Sequence, residues 1–127
     1  MAGALKRIAV VEDNTDNRLL VHAILDGLYD IQEYVTGRDA LERMPALPPD
    51  LVLLDISLPE MDGTEVLRHL RADERLARLP VIALTAHAMA GDREKYLAGG
   101  FDDYVTKPIL DEDQLIGAIE RLLQRAR

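Results

Sequence analysis

The stretch DLVLLDISLPEMDG, residues 50–63, joins an apolar run to an acidic side chain and a turn. Residues 51–54 are apolar without interruption, which is typical of a strand that is buried on both faces of a parallel sheet. The run ends on Asp55, and Pro59 and Gly63 follow in a segment of turn-forming residues. A carboxylate at the end of a buried strand indicates a site, because binding crevices of open α/β sheets lie beyond the carboxyl ends of their strands.

Outward from this strand, short apolar runs alternate with segments of helical period. The predicted strands are residues 5–11, 31–35, 50–55, 80–86 and 101–105. The predicted helices are residues 17–28, 37–47, 63–74, 91–100 and 111–125. Five βα units predict a parallel sheet covered by helices on both faces, a three-layer α/β sandwich. Residues 31–35 alternate between polar and apolar side chains, so we expect this strand at an edge of the sheet.

Composition limits the classes of protein to consider. The 127 residues are 48% apolar and 30% charged, which predicts one globular domain, residues 1–127. A net charge of −8 argues against direct nucleic-acid binding. The chain has no cysteine, its apolar runs are far shorter than the ~20 residues of a membrane span, and its first residues do not form a secretory signal. We therefore expect a cytoplasmic protein that does not bind membranes.

Four arginines lie close together after the central strand, at positions 68, 71, 75 and 78. They are compatible with a local basic patch, but charged residues at such spacing more often form a solvated helix face. The sequence leaves both interpretations open.

Polar side chains follow four of the predicted strands. They are Glu12 and Asp13, Asp55, Thr85 and Lys107. Each has an ordinary explanation as a cap, a turn or a surface residue, but together they place three carboxylates at one end of the sheet. Their mutual repulsion requires compensation. Carboxylates without cysteine or a histidine cluster favour a hard cation, Mg²⁺ or also Mn²⁺.

This set of side chains suits phosphoryl transfer. A carboxylate beside a metal ion can act as a nucleophile and form an acyl phosphate, which makes Asp55 the candidate nucleophile. The transferred group carries charge on three oxygens and needs donors on several sides. The Lys107 ammonium and the Thr85 hydroxyl are candidates for that task.

The chain resembles the receiver domain of two-component response regulators, with a CheY-like, flavodoxin-like fold. The resemblance rests on the acidic pair at 12–13 and on LLDISLPEMDG, ALTA and YVTKP, in this order and spacing, and it extends from residue 5 to about 123. It implies the strand order 2-1-3-4-5 and a single receiver domain without an output domain. It also implies phosphorylation of Asp55 by a sensor histidine kinase or a histidine phosphotransfer protein, and no enzymatic activity beyond the domain's own phosphotransfer and slow dephosphorylation.

The resemblance also assigns the metal ligands and the phosphoryl ligands. Asp13 and Asp55 would bind Mg²⁺ directly, Glu12 through a water, and the backbone carbonyl of Ser57 would be a further ligand. Thr85 and Lys107 would bind phosphoryl oxygens, with backbone N–H groups near Ser57 and Ala86. The bond before Pro108 would be cis, a conformation that is accessible only before proline.

Two further features concern partners and the switch. In the family's switch, Tyr104 would turn inward when Thr85 moves toward the phosphoryl group. This turn would change the surface of the last two helices and the last strand. Alternatively, Tyr104 is an ordinary edge-strand aromatic. Leu19 and Ala23 widen the apolar stripe of the first helix and would form a docking rim for the histidine-bearing partner, or are merely scattered exposed side chains. His22, His69 and His87 are isolated, so the phosphohistidine should come from the partner.

Several alternatives stay open. The chain resembles small single-domain regulators that act on downstream proteins as a monomer or a phosphorylation-dependent dimer. It also resembles receivers attached to hybrid histidine kinases, from which it would be an excised part. An aspartyl phosphatase of the haloacid-dehalogenase type is less compatible, because such enzymes need an acid where this chain has Ser57.

Overall fold

Five strands and five helices alternate in the computed structural model, which describes residues 5–86, 91–107, 109 and 111–125. The strands are β1 (Arg7–Val11), β2 (Asp30–Tyr34), β3 (Leu51–Asp55), β4 (Val81–Thr85) and β5 (Asp103–Thr106). The helices are α1 (Thr15–Leu25), α2 (Gly37–Arg43), α3 (Gly63–Ala72), α4 (Asp92–Ala98) and α5 (Glu112–Arg125). All ten predicted elements are present, with ends shifted by a few residues.

The strands form one parallel sheet in the order β2-β1-β3-β4-β5. The order that the resemblance implied is therefore confirmed, as is the edge position of the alternating strand β2. The central strands β3 and β4 are buried at all five positions. Their continuous apolar sequence follows from this position, since neighbouring strands cover their edges and helices cover both faces.

Each face of the sheet has its own apolar core, because successive strand residues point to opposite faces. On one face, Val52 and Leu54 of β3 belong to a cluster that includes Val66 and Leu70 of α3. On the other face, Leu51 and Leu53 pack in a cluster with residues of α1 and α5, namely Val21, Ile24, Leu25, Leu115, Ala118, Ile119 and Leu122. The strand that ends on Asp55 is thus held from both sides.

Among the described residues, four α-helices begin after a residue whose side chain caps the first turn. Asn14, Thr36, Asp62 and Asp111 each accept a hydrogen bond from the backbone N–H three residues further on, which satisfies a donor that the helix itself leaves free. The cap at Asn14 starts α1 at Thr15, two residues earlier than predicted. Among the described residues, no helix is both long enough and apolar enough to cross a bilayer.

Arg71 on α3 is a structural residue and does not belong to a solvated face or a basic patch. Its guanidinium donates hydrogen bonds to the carbonyl oxygens of Ala77 (3.2 Å), Leu79 (2.6 Å) and Gly100 (2.9 Å). It also bonds to the Asp102 carboxylate at 3.1 Å, and that carboxylate accepts the N–H of Val81. Arg71 therefore ties α3 to the segments that precede β4 and β5.

Candidate functional site

The carboxyl ends of β1, β3, β4 and β5 bring the predicted side chains to one edge of the sheet. Asp55 ends β3 and Thr85 ends β4, and these strands are neighbours in register, with Asp55 opposite Leu84. Glu12 follows β1, and its N–H donates to the carbonyl oxygen of Tyr34. Lys107 follows β5, and its N–H donates to the carbonyl oxygen of Thr85 at 2.7 Å. The backbone of the sheet thus positions all four side chains.

Three carboxylates converge at this edge. Carboxylate oxygens of Glu12, Asp13 and Asp55 lie within 4.8 Å of one another. Glu12 is 0% exposed and Asp55 is 1% exposed, whereas Asp13 is exposed to solvent. The cluster is therefore buried on one side and open on the other, which leaves an entry for a ligand.

Lys107 is the cation of the cluster. Its ammonium nitrogen lies 2.9 Å from Asp55 Oδ1 and 3.1 Å from Glu12 Oε1. Burial alone would lower the pKa of Lys107, but hydrogen bonds and charge attraction from both carboxylates outweigh burial and raise the pKa above its ordinary value. The side chain is therefore charged at neutral pH and faces Asp55.

One lysine does not neutralise the carboxylates fully, and the excess negative charge affects Glu12. Burial first, and then a hydrogen bond and repulsion from Asp55, raise the pKa of Glu12 from 4.5 to about 7. The N–H of Asn14, 3.1 Å from Glu12 Oε2, and the Lys107 ammonium act in the opposite direction but are weaker. With a pKa of about 7, Glu12 is only partly ionised near neutrality, and a bound cation would compete with its proton.

The loop after β3 shapes the wall beside Asp55. The N–H of Ser57 donates to Asp55 Oδ1 at 3.0 Å, and Ser57 is exposed. Glu60 has a φ of 65°, a left-handed conformation that is strained for a residue with a side chain. At Gly63, a Cβ atom would overlap the backbone of Asp55 and Ile56. The glycine therefore lets α3 begin directly against the backbone of Asp55, a constraint that the sequence pattern did not reveal.

Thr85 has a partner that the sequence did not reveal. Its side chain is 2% exposed, and its hydroxyl oxygen lies 3.0 Å from the hydroxyl oxygen of Tyr96 on α4. Tyr104 is half-buried and packs against the core and against the Tyr96 ring, with ring centroids 5.8 Å apart. Ala86 lies exposed at the end of β4. Pro108 and His87 lie outside the described residues.

Helix α1 follows Glu12 and Asp13 closely in sequence, and one face of this helix is exposed. Leu19 is 63% exposed and Ala23 is also exposed, so neither belongs to the core. Arg18 donates hydrogen bonds to the carbonyl oxygens of Glu12 (2.9 Å) and Asp13 (3.0 Å). This arginine therefore fixes α1 against the loop that carries the acids.

The side chains present fit a hard divalent cation. The donors are carboxylate oxygens, which Mg²⁺ and Mn²⁺ prefer, and no cysteine exists in the chain to favour a softer metal. Two buried carboxylates share one ammonium group, so negative charge is in excess. The exposed Asp13 leaves space for the water ligands that Mg²⁺ retains.

Comparison with known proteins agrees with this geometry. The family model of the response regulator receiver domain matches residues 8–120. The signal transduction histidine-protein kinase BarA of Escherichia coli (strain K12) is 41% identical over 106 residues, which are 83% of this chain. The chain spans only 12% of the length of BarA. The polar-differentiation response regulator DivK of Brucella ovis is 42% identical over 105 residues, 82% of this chain and 85% of DivK.

Solved structures of receiver domains also resemble this chain. The receiver domain of the sensor histidine kinase PA1611 from Pseudomonas aeruginosa PAO1 is 37% identical and superposes with a TM-score of 0.79. The superposition covers 96% of this chain and 97% of that domain, and a magnesium ion is coordinated in the active site cleft of that protein. The signal receiver domain of a LuxO-type repressor from Vibrio parahaemolyticus superposes with a TM-score of 0.84 at 32% identity, over 96% of this chain and 92% of that domain.

Proposed function

The chain belongs to the response regulator receiver domain family, and on that premise we propose that Asp55 accepts a phosphoryl group from a phosphohistidine of a partner protein. A receiver is a phosphoryl-accepting domain of two-component signalling and has no separate substrate to turn over. The proposal concerns the residues that perform the step, the cation that assists it and the surfaces that connect it to other proteins.

The observation that carries the proposal is the environment of Asp55. The carboxylate is buried at the end of β3, fixed by the Ser57 N–H and in contact with the Lys107 ammonium. A nucleophile held in this way loses little freedom when it reacts. The open side of the cluster, at Asp13, leaves an approach for the phosphoryl donor.

In the proposed transfer, a carboxylate oxygen of Asp55 attacks the phosphorus atom of the phosphohistidine. The P–N bond breaks, its electron pair stays on the imidazole nitrogen, and a P–O bond to Asp55 forms. Lys107, the Thr85 hydroxyl and backbone N–H groups near Ser57 and Ala86 bind the phosphoryl oxygens. Such donors stabilise the charge that spreads over these oxygens in the transition state.

We assign the cation site to the acidic cluster. Asp13 and Asp55 are its direct ligands, together with the Ser57 carbonyl. Both Glu12 oxygens already have partners, Lys107 and the Asn14 N–H, which supports a role for Glu12 through a bound water. When bound, Mg²⁺ neutralises the carboxylates and the phosphoryl oxygens during transfer. The magnesium ion in the related PA1611 receiver supports this assignment.

The donor is a histidine kinase or a histidine phosphotransfer protein, and we propose that it docks on α1. Leu19 and Ala23 form an exposed apolar rim on the helix that follows Asp13. The substitution Leu19→Asp should slow transfer from a phosphorylated histidine domain and leave labelling by acetyl phosphate unchanged. Equal slowing of both reactions would instead place Leu19 in the chemistry or the fold.

The output is proposed to involve α4, β5 and α5. Tyr104 lies half-buried on β5 in contact with α4, so an inward turn of its ring would change this surface. Downstream proteins, or a second phosphorylated copy, would recognise the changed surface. The likeness to DivK over most of its length favours a stand-alone regulator. The likeness to BarA supports the second candidate, a receiver that belongs to a hybrid histidine kinase.

The proposal is tested with a small phosphodonor. The protein incubated with acetyl phosphate and Mg²⁺ should gain one base-labile phosphoryl group, detected by mass spectrometry of the intact chain. Asp55→Asn or a chelator should abolish the adduct. Asp62→Asn is the matched control, because an asparagine keeps the cap of α3 close to the site. An adduct on the Asp55→Asn protein, or labelling without a metal, would contradict the assignment.

A further inference from the structure

Tyr96 on α4 contacts the side chain to which the proposed function assigns phosphoryl binding. Its hydroxyl oxygen lies 3.0 Å from the hydroxyl oxygen of Thr85, and the two side chains are 8% and 2% exposed. The Tyr96 ring packs edge-on against Phe101, with centroids 6.0 Å apart, and at a tilt against Tyr104. Tyr96 therefore connects the proposed phosphoryl ligand to the proposed switch residue and is itself fixed by aromatic packing.

The hydrogen bond lies on one face of the sheet. Ala83 and Thr85 are two positions apart in β4, so their side chains point to the same face, and Ala83 and Tyr96 belong to the same core cluster. The phosphoryl group of the proposed reaction lies instead beyond the strand ends, on Asp55. Tyr96 thus holds the Thr85 hydroxyl toward α4, whereas a phosphoryl group would require it toward Asp55.

The two contacts compete for the position of one hydroxyl group. A threonine hydroxyl has a single hydrogen to donate, and phosphoryl oxygens only accept. Either hydroxyl can donate in the contact with Tyr96, but in both cases the contact keeps the Thr85 oxygen beside α4, whereas phosphoryl binding requires Thr85 to donate its hydrogen toward Asp55. A largely buried phenol that loses a hydrogen-bond partner also costs free energy, because water reaches it poorly.

We propose that Tyr96 is a positioning residue that holds Thr85 on the α4 side of the sheet in the unphosphorylated protein and so opposes phosphoryl binding at Asp55. The inference rests on the proposed function, since it assumes that Thr85 binds the phosphoryl group. Tyr96 lowers the affinity of the site for that group without touching the acidic cluster. Movement of Thr85 toward Asp55 breaks its contact with Tyr96, whose ring packs against Tyr104, so phosphorylation is coupled directly to the aromatic cluster.

The test is the substitution Tyr96→Phe, which removes the hydroxyl and keeps the ring packing. Beryllium trifluoride, which mimics a carboxylate-bound phosphoryl group, is titrated in the presence of Mg²⁺, and acetyl phosphate labelling is timed in parallel. We expect the variant to bind the mimic about 3- to 10-fold more tightly, the usual net effect of one hydrogen bond. Its Mg²⁺ affinity without the mimic should equal that of the unmodified protein, which a general structural defect would not leave unchanged.

Tyr34→Phe is the matched control, because this buried tyrosine bonds to Gln32 at 3.3 Å on β2, at the edge of the sheet away from β4. It should bind the mimic as the unmodified protein does. In a Thr85→Ala background, Tyr96→Phe should have no further effect. Unchanged or weaker binding of the mimic by Tyr96→Phe overturns the inference while the proposed function stands. Failure of the unmodified protein to bind the mimic or to become labelled overturns the proposed function, and the inference with it.

Discussion

The ammonium nitrogen of Lys107 lies 2.9 Å from Oδ1 of Asp55. Lys107 follows β5 and Asp55 ends β3, and these two strands are not neighbours in the sheet. β4 lies between these strands, so the lysine side chain reaches past its end. A second contact, 3.1 Å to Glu12 Oε1, joins Lys107 to the segment after β1. One cation therefore connects the segments at the ends of β1, β3 and β5, of which only β1 and β3 are neighbours in the sheet.

Substitution of Lys107 should have opposite effects on the rate of phosphorylation and on the affinity for Mg²⁺. Lys107→Met should slow labelling by acetyl phosphate about 10- to 100-fold, the range expected for a lost hydrogen bond to a charged group. The same variant should bind Mg²⁺ more tightly, because a competing positive charge has left the carboxylates. Lys6→Met, at an exposed position, is the control. Equal labelling rates for the two variants would show that Lys107 has no role in the transfer.

The raised pKa of Glu12 predicts that the stability of the protein and its affinity for Mg²⁺ depend on pH. In the folded protein the pKa of Glu12 is about 7, against 4.5 for an ordinary glutamic acid, so the folded state binds more protons between these values. The contribution of Glu12 to stability is therefore complete below pH 4.5 and is lost as the pH rises through 7. Mg²⁺ replaces the proton, so its affinity should fall as the pH is lowered below 7.

Thermal unfolding between pH 5 and pH 8, with and without Mg²⁺, measures both effects. Without the metal, the unmodified protein should lose stability relative to Glu12→Gln as the pH rises, because glutamine does not titrate. With saturating Mg²⁺ the loss should be smaller. A difference between the two proteins that does not change with pH would contradict the raised pKa.

Two glycine substitutions should have opposite effects on stability. At Gly63 a methyl group meets the backbone of Asp55 and Ile56, which cannot move without displacing the site, so Gly63→Ala should cost about 1–3 kcal/mol or more. At Gly117 in α5 nothing lies within 4 Å of an added Cβ atom, so Gly117→Ala should stabilise the helix by about 0.5–1 kcal/mol. Urea unfolding of both variants measures the two effects, and destabilisation by Gly117→Ala would contradict the packing described for α5.

Substitutions of two arginines that lie close together in sequence should have unequal effects on stability. Arg71 is half-buried and bonds to three carbonyl oxygens and to Asp102, so Arg71→Ala leaves partly buried acceptors without this donor and should cost about 1–3 kcal/mol. Arg75 is exposed and bonds only to Asp73 among the described residues, and Arg75→Ala should produce no measurable change. Equal unfolding midpoints for the two variants would remove the structural role assigned to Arg71.

The strand ends explain how much of the site could be predicted. Asp55 and Thr85 end apolar runs, and parallel strands bring their carboxyl ends together, so a shared edge follows from the sequence pattern alone. The order of the strands does not follow from the pattern. It came from the resemblance, and the pairing of β1 with both β2 and β3 confirms it.

The sequence pattern did not predict the side-chain contacts between helices and strands. Tyr96 was assigned only to a helix, because its contact with Thr85 depends on how α4 is rotated against the sheet. Arg71 was one of four similar arginines, and its position near three carbonyl groups depends on how the chain turns before β4. Gly63 could be read as a turn residue, whereas its need for close packing depends on where α3 meets β3.

The two-sided core around β3 separates the acidic site from the proposed docking surface on α1. Asp55, Thr85 and Lys107 are positioned by the backbone of the sheet, whereas Leu19 and Ala23 lie on a helix surface that contributes nothing to the core. Substitutions on that surface can therefore accumulate without disturbing the reacting groups. With the proposed docking on α1, one copy of such a domain would acquire a new kinase after a gene duplication by changes on that helix alone and keep the same acidic site.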